Sequence, residues 1–173
     1  PCTVGDINMF GMGNDGAGGG LAAGFDIVTT EQLLGDYNSP MDVFSYHYYN
    51  GVSERGAAMG GHWPFEACLT EQYLAVAGFC ARQYVPRRDR YVPGGQMWVT
   101  ESGDAGCGGN TWGSTYADVP RTLNELGDFA TVTDGIIFHN TLASSDYGWL
   151  KHGTFDPRPN YFAVLLWNRL MGH

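Results

Sequence analysis

Glu101 is the residue whose setting asks for an explanation. The stretch Met97-Trp98-Val99-Thr100-Glu101-Ser102-Gly103-Asp104-Ala105-Gly106-Cys107-Gly108-Gly109 runs from an apolar segment onto a carboxylate and then into glycines. A short apolar run predicts a buried strand. A carboxylate at its end is either turned into solvent or set over a cavity. Over a cavity it can act as the nucleophile of glycoside cleavage, while a partner carboxylic acid protonates the leaving oxygen. Glycines beyond it let backbone N–H groups approach and hold an anion. Two other segments, Tyr46-His47-Tyr48-Tyr49-Asn50 and His139-Asn140-Thr141, also end apolar runs in polar groups. Each residue alone reads equally as core, rim or a satisfied hydrogen-bonder; the coincidence on three segments singles them out. Trp98, Tyr48, Tyr49 and Trp149 would give an aromatic wall suited to the C–H faces of sugar rings.

The elements that must position these groups alternate. A short helix over 29–34 is followed by a strand over 42–49 and a helix from Phe65 to about Tyr84, stopped by Pro86. A strand over 96–100 precedes a helix from Thr115 to Leu126, capped by Ser114 or Thr115 and stopped by Gly127. A strand over 135–141 and a helix from Asn160 to Met171, ended by Gly172, complete the order. Alternating strands and helices predict a parallel sheet, and strands apolar throughout fit one with both faces covered. Three strands close nothing, so an open doubly wound sheet and part of a (β/α)8 barrel both fit. In either, functional groups collect at the carboxyl ends of the strands. Residues 1–26 are glycine-laden and read as loop; the division is a Gly-rich connection over 1–35 and an α/β unit over 36–173.

The 173 residues carry 18 acidic and 9 basic side chains, a net charge of −9. Nucleic acid and anionic membrane reward clustered Lys and Arg, so neither is an expected partner. The one basic cluster, Arg87-Arg88-Asp89-Arg90, reads as a solvated helix end. No apolar run is long enough for a membrane span. The opening "PCTVGDINMF" begins with Pro rather than Met and shows no leader pattern, and Pro1 is expected to be an internal position of a longer precursor. Cys2, Cys68, Cys80 and Cys107 lack zinc-site spacing. They allow two disulfides, as in a secreted protein, or free buried thiols. No metal or cofactor is expected.

Four blocks, "SYHYYNG", "WVTESGDAGCGG", "NTLASSDYGWL" and "GTFDPRPNYFAVLLWNRLMG", together resemble the heparanase family of glycoside hydrolases (family 79), plant members included, over about residues 36–172. The resemblance implies a (β/α)8 barrel with a small β-sandwich, and cleavage of β-linked glucuronic acid with retention by two glutamates. Glu101 resembles the nucleophile. Tyr49 resembles the tyrosine contacting the nucleophile region, with His47 close by. Gly106, Cys107 and Gly108 match the loop whose amides hold the sugar carboxylate, and Tyr147 matches a tyrosine that helps bind it. The resemblance places the protein outside the cell or in a lysosome- or vacuole-like compartment.

The chain departs from that pattern at three points. Gly106 stands where a tyrosine is common, and His139-Asn140 where an Arg-Gln pair is usual. The Asn-Glu-Pro of the general acid is absent; the only Asn-Glu, Asn124-Glu125, falls in a predicted helix. The expectation is therefore about the last three strands and four helices of a barrel, completed by its own remaining polypeptide or a processed partner chain. Such a fragment carries the nucleophile without the general acid and is inactive alone. The expected substrate is a lightly charged glycan, because a heavily sulfated one would need more Lys and Arg. An inactive glycan-binding or structural protein on the same fold is the alternative. A minor one is a dinucleotide site at Gly11-Met12-Gly13-Asn14-Asp15-Gly16, a G-x-G-x-x-G followed by more glycines.

Overall fold

The computed structural model describes residues 3–6, 30–36, 38–132 and 134–172. The Gly11–Gly16 motif and Cys2 lie outside them. The order is β1 (Thr3–Asp6), α1 (Thr30–Leu34), β2 (Val43–Tyr49), α2 (Glu71–Leu74), α3 (Val76–Tyr91), β3 (Gln96–Gly103), α4 (Asp118–Val132), β4 (Ile137–His139) and α5 (Pro159–Met171). The sheet order is β1-β2-β3-β4 and each neighbouring pair is parallel. The class is α/β, with β1 a strand inside the segment that glycine content alone reads as loop. No helix among the described residues is long and apolar enough to cross a membrane.

One face of the sheet carries the core. Phe44, Tyr46 and Tyr48 of β2 lie in register with Met97, Val99 and Ser102 of β3. Against the apolar members pack Leu34 of α1, Ala77, Ala81 and Tyr84 of α3, and Phe129 of α4. Tyr46 stacks on Tyr84 at 4.4 Å, and Tyr48 meets Phe129 edge-on at 5.2 Å. Each such fully buried side chain contributes roughly 1.5–3 kcal/mol. The opposite face is less covered: Phe138 is 44% exposed, and its ring lies 6.3 Å from that of half-buried Trp98.

Two helices outrun their sequence-based stops. α3 continues through Pro86 to Tyr91. Proline removes one backbone donor, but the turns beyond it are tied down: Arg88 donates to Gly95 O at 3.2 Å and to Asp134 Oδ2 at 3.0 Å, and Arg87 pairs with Glu31. The basic cluster is thus a helix end with its charges largely matched. α4 begins three residues after Thr115 and passes Gly127, because Phe129, fully buried beyond that glycine, holds the next turn to the core. A charged network is buried in α4: Arg121 bonds Asp118 and Glu125, and all three are under 5% exposed. The loop expected over 52–64 contains a 3-10 turn at Glu54–Met59, and the helix expected from Phe65 begins as a separate 3-10 turn at Phe65–Ala67.

Candidate functional site

A single extra residue aims Glu101. Tyr46 stands opposite Val99, but the next residue of β2, His47, stands opposite Glu101. Thr100 is therefore inserted in β3, and the β3–β4 register shifts over the same span, from Val99↔Ile137 to Ser102↔His139. Side chains alternate along a strand, so unbroken alternation from Met97 and Val99 would send residue 101 into the helix-facing core. The β-bulge hands that place to Ser102 and turns Glu101 to the other face, beside His47 and Tyr49. This is why an apolar strand ends on a carboxylate without burying it: the Glu101 side chain keeps 34% exposure.

There it is held by donors. The Tyr49 hydroxyl and Asn140 Nδ2 (3.0 Å) both donate to Oε1, while His47 Nδ1 lies 3.3 Å from Oε2. Asn140 Nδ2 also lies 2.8 Å from the Tyr49 hydroxyl and 3.2 Å from that of Tyr147. Burial, then the bond to Glu101, pushes the Tyr49 phenol up, which keeps it a protonated donor.

His47, Tyr49, Glu101, Gly106, Cys107, Gly108 and Tyr147 line one cavity of about 320 Å³. All seven residues singled out from the sequence thus meet in one place. Among the described residues lining it, Glu101 alone carries a carboxylate. Cys107, Gly108 and Gly109 are three successive residues with positive φ, 64°, 91° and 80°. The Gly106 N–H is engaged by Gly51 O at 2.9 Å and that of Gly109 by Ala105 O at 3.1 Å. The anion-holding donors available in the loop are therefore the amides of Cys107 and Gly108.

Other expected contributors face elsewhere. Tyr48 is in the core against Phe129, and Trp149 stacks on His139 at 4.7 Å, so neither joins Tyr49 in an aromatic wall. The cause is strand parity for Tyr48 and the return of the 141–158 segment over β4 for Trp149. His139 is in register with Ser102 and so faces the helix layer. Burial lowers its pKa to about 4; the neutral ring donates from Nε2 to Tyr147 O at 2.7 Å. Glu125 is buried against Arg121 on α4 rather than sited on a strand end. Cys68, Cys80 and Cys107 are not joined by a disulfide among the described residues. Among the described residues no cluster of three His, Cys, Asp or Glu is placed to hold a metal.

Sequence reasoning missed Asn140 as a ligand of Glu101. Its signals were its place among the polar groups at a strand end and at the position where the resemblance has the second residue of an Arg-Gln pair. It also missed Asp104, which is buried beneath the glycine loop. Asp104 Oδ2 accepts from Asn110 N (2.9 Å) and Asn110 Nδ2 (3.0 Å), and desolvation raises its pKa to about 7.

Comparison with known sequences gives a family relationship. Heparanase-like protein 1 of Arabidopsis thaliana is 32% identical over 135 residues, 78% of this chain and 24% of that protein. The chain is a relative of the heparanase-like proteins of glycoside hydrolase family 79. A protein of Scutellaria baicalensis named Baicalin-beta-D-glucuronidase is 37% identical over 76 residues, 43% of this chain and 14% of that protein. A human protein named Inactive heparanase-2 is 30% identical over 83 residues, 47% of this chain and 14% of that protein. No family model matches the chain. The chain spans about a quarter of the length of Heparanase-like protein 1.

Proposed function

We propose that this protein belongs to a retaining glycoside hydrolase that cleaves β-linked glucuronic acid from glycans, with Glu101 as its nucleophile. The observation that carries the reading is the bulge at Thr100, which brings Glu101 out of the core and onto two donors at the base of the cavity. Tyr49 and Asn140 fix Oε1, so Oε2 is the oxygen that attacks the anomeric carbon as the glycosidic C–O bond breaks. The leaving oxygen takes a proton from a second carboxyl group about 5–5.5 Å away; water, deprotonated by that same group, then releases the sugar and restores Glu101. The amides of Cys107 and Gly108 and the Tyr147 hydroxyl hold the sugar carboxylate.

The second carboxyl group and the remaining staves of a (β/α)8 barrel come, in this reading, from sequence beyond these 173 residues. Support comes from the sheet itself: parallel sheets are covered on both faces, and here Trp98 and Phe138 lie on a face without helices among the described residues. Without an acid, turnover falls by about 10²–10⁴-fold, so these residues alone are inactive. The compartment called for is extracellular or lysosome- or vacuole-like.

A second reading, glycan binding without hydrolysis, is favoured by the single carboxylate among the described residues of the cavity and by the relative named inactive. Hydrolysis of an aryl β-glucuronide by the full-length protein separates the two. Turnover that falls by roughly 10³-fold or more in Glu101→Gln supports the enzyme. Equal turnover in parent and variant removes Glu101 from the chemistry, and saturable glucuronide binding without turnover in the parent supports the second reading.

A further inference from the structure

The glycine loop owes its shape to more than its own bond from Gly109 N to Ala105 O. Its four consecutive carbonyls are each taken by a donor from another segment. Gly106 O accepts from Ser53 N at 3.0 Å and Cys107 O from Ser53 Oγ at 2.9 Å. Gly108 O accepts from Asp146 N at 2.9 Å, and Gly109 O from Arg55 Nη1 at 2.7 Å. The other arm of the Arg55 guanidinium is paired with the Asp146 carboxylate. Arg158 Nη1 donates to Asp146 O at 2.9 Å from the far side. Asp146 directly precedes Tyr147, which lines the cavity and lies against the loop at Gly109.

Ser53 captures the Gly106 and Cys107 carbonyls, so the N–H groups that share those peptide units, on Cys107 and Gly108, are turned away from Ser53. A peptide unit has its N–H and C=O on opposite sides, so capturing one aims the other. The room is tight: a Cβ on Gly108 would lie 3.3 Å from Arg55 Nη1, and one on Gly109 2.8 Å from Tyr147 N. The Arg55 charge is matched by Asp146, so it adds little net attraction for an anion. Its fork instead ties the loop to the segment that carries Tyr147, a task with two separate acceptors that lysine can fill only in part.

We propose that Ser53, Arg55 and Asp146 are positioning residues that set the grip on the sugar carboxylate, and hence the preference for glucuronate over neutral glucose. The inference rests on the proposed function for its substrate, though not on catalysis. Residues 53–55 lie in a segment that sequence patterning reads as loop, and none of the three touches the reacting atoms.

The test uses the full-length protein as parent, Ser53→Ala, Arg55→Ala, Arg55→Lys and Asp146→Ala. Two readouts are taken: kcat and KM for matched aryl β-glucuronide and β-glucoside, and calorimetric affinity for glucuronic acid against glucose. The expected result is a tenfold or greater fall in the glucuronide-to-glucoside ratio of kcat/KM for each alanine variant, carried by KM. Arg55→Lys recovers part of it, and the Arg55→Ala/Asp146→Ala double variant loses less than the two singles summed. A purely structural role would lower the active fraction for both sugars alike and leave the ratio unmoved, which overturns the inference while leaving the enzyme reading intact. If the parent hydrolyses neither sugar yet binds glucuronic acid in preference, and Arg55→Ala abolishes that preference, the enzyme reading fails and the inference stands. A parent that shows no preference for glucuronic acid in either readout overturns it.

Discussion

Glu101 stands in register with His47, one step out of the alternation that pairs Val99 with Tyr46, because Thr100 is inserted between them. The chemistry proposed for this protein depends on that insertion.

Ser102→Glu puts a carboxylate at the core position that the bulge assigns to residue 102, facing the buried Glu125 of α4. An uncompensated buried charge costs about 3–5 kcal/mol. Urea denaturation is expected to show a loss of that size. A Ser102→Glu variant with parental stability would contradict the bulge account.

Tyr49→Phe removes one of the two donors to Glu101 Oε1 and leaves the ring. Hydrogen bonds to charged groups contribute about 1.5–3 kcal/mol, so kcat is expected to fall by roughly ten- to a hundredfold, at 1.36 kcal/mol per tenfold. Asn140→Ala, which loses contacts to Glu101, Tyr49 and Tyr147 together, is expected to cost at least as much. Steady-state kinetics on an aryl glucuronide checks both.

How much of this was legible beforehand differs by residue. The apolar runs around Phe44 and Val99 revealed two central strands, and the Gly172 stop of α5 was readable from its left-handed cap. The polar ends of those strands pointed to Glu101, His47 and Tyr49. The extra residue at 100 was not readable, since a bulge leaves no mark in composition; register only exists once strands pair. For the same reason Tyr48 and His139 read as site residues or their neighbours, although parity sends both into the helix layer. Arg55 carried no signal at all, because its partners at 109 and 146 are distant in sequence.

Two buried groups give opposed pH dependences. Asp104 has its pKa raised to about 7 by burial, above an unfolded value of about 3.9. The folded state binds the extra proton, so this contribution is full below about pH 4 and is lost as pH rises through 7. His139 is depressed to about 4 from about 6.5; its contribution is full above about 6.5 and is lost as pH falls through 4. Asp104→Asn removes only the first. Its stability relative to parent is expected to be greater at pH 8 than at pH 5, and urea midpoints at the two pH values check the sign.

Arg121→Met leaves Asp118 and Glu125 buried without their counter-charge. The expected loss is about 3–5 kcal/mol by chemical denaturation. Removing the network whole, with Asp118→Asn and Glu125→Gln added, is expected to recover part of it.

The charge balance of −9 predicts weak attraction for a heavily sulfated polymer. Heparin retention is expected to vanish by about 0.3 M salt, where screening acts within less than the ~10 Å Debye length of 0.1 M. Elution above that salt on an affinity column would contradict the lightly charged substrate.

The central claim is covalent: a glycosyl ester forms at Glu101. Incubating the full-length protein with a 2-deoxy-2-fluoro β-glucuronide bearing a good leaving group slows release of the intermediate, and peptide mass spectrometry then locates it. The account predicts one fluoroglucuronyl adduct on the peptide containing Glu101 and none in Glu101→Gln. An adduct on any other carboxylate, or turnover of the reagent with Glu101 left unmodified, would contradict it.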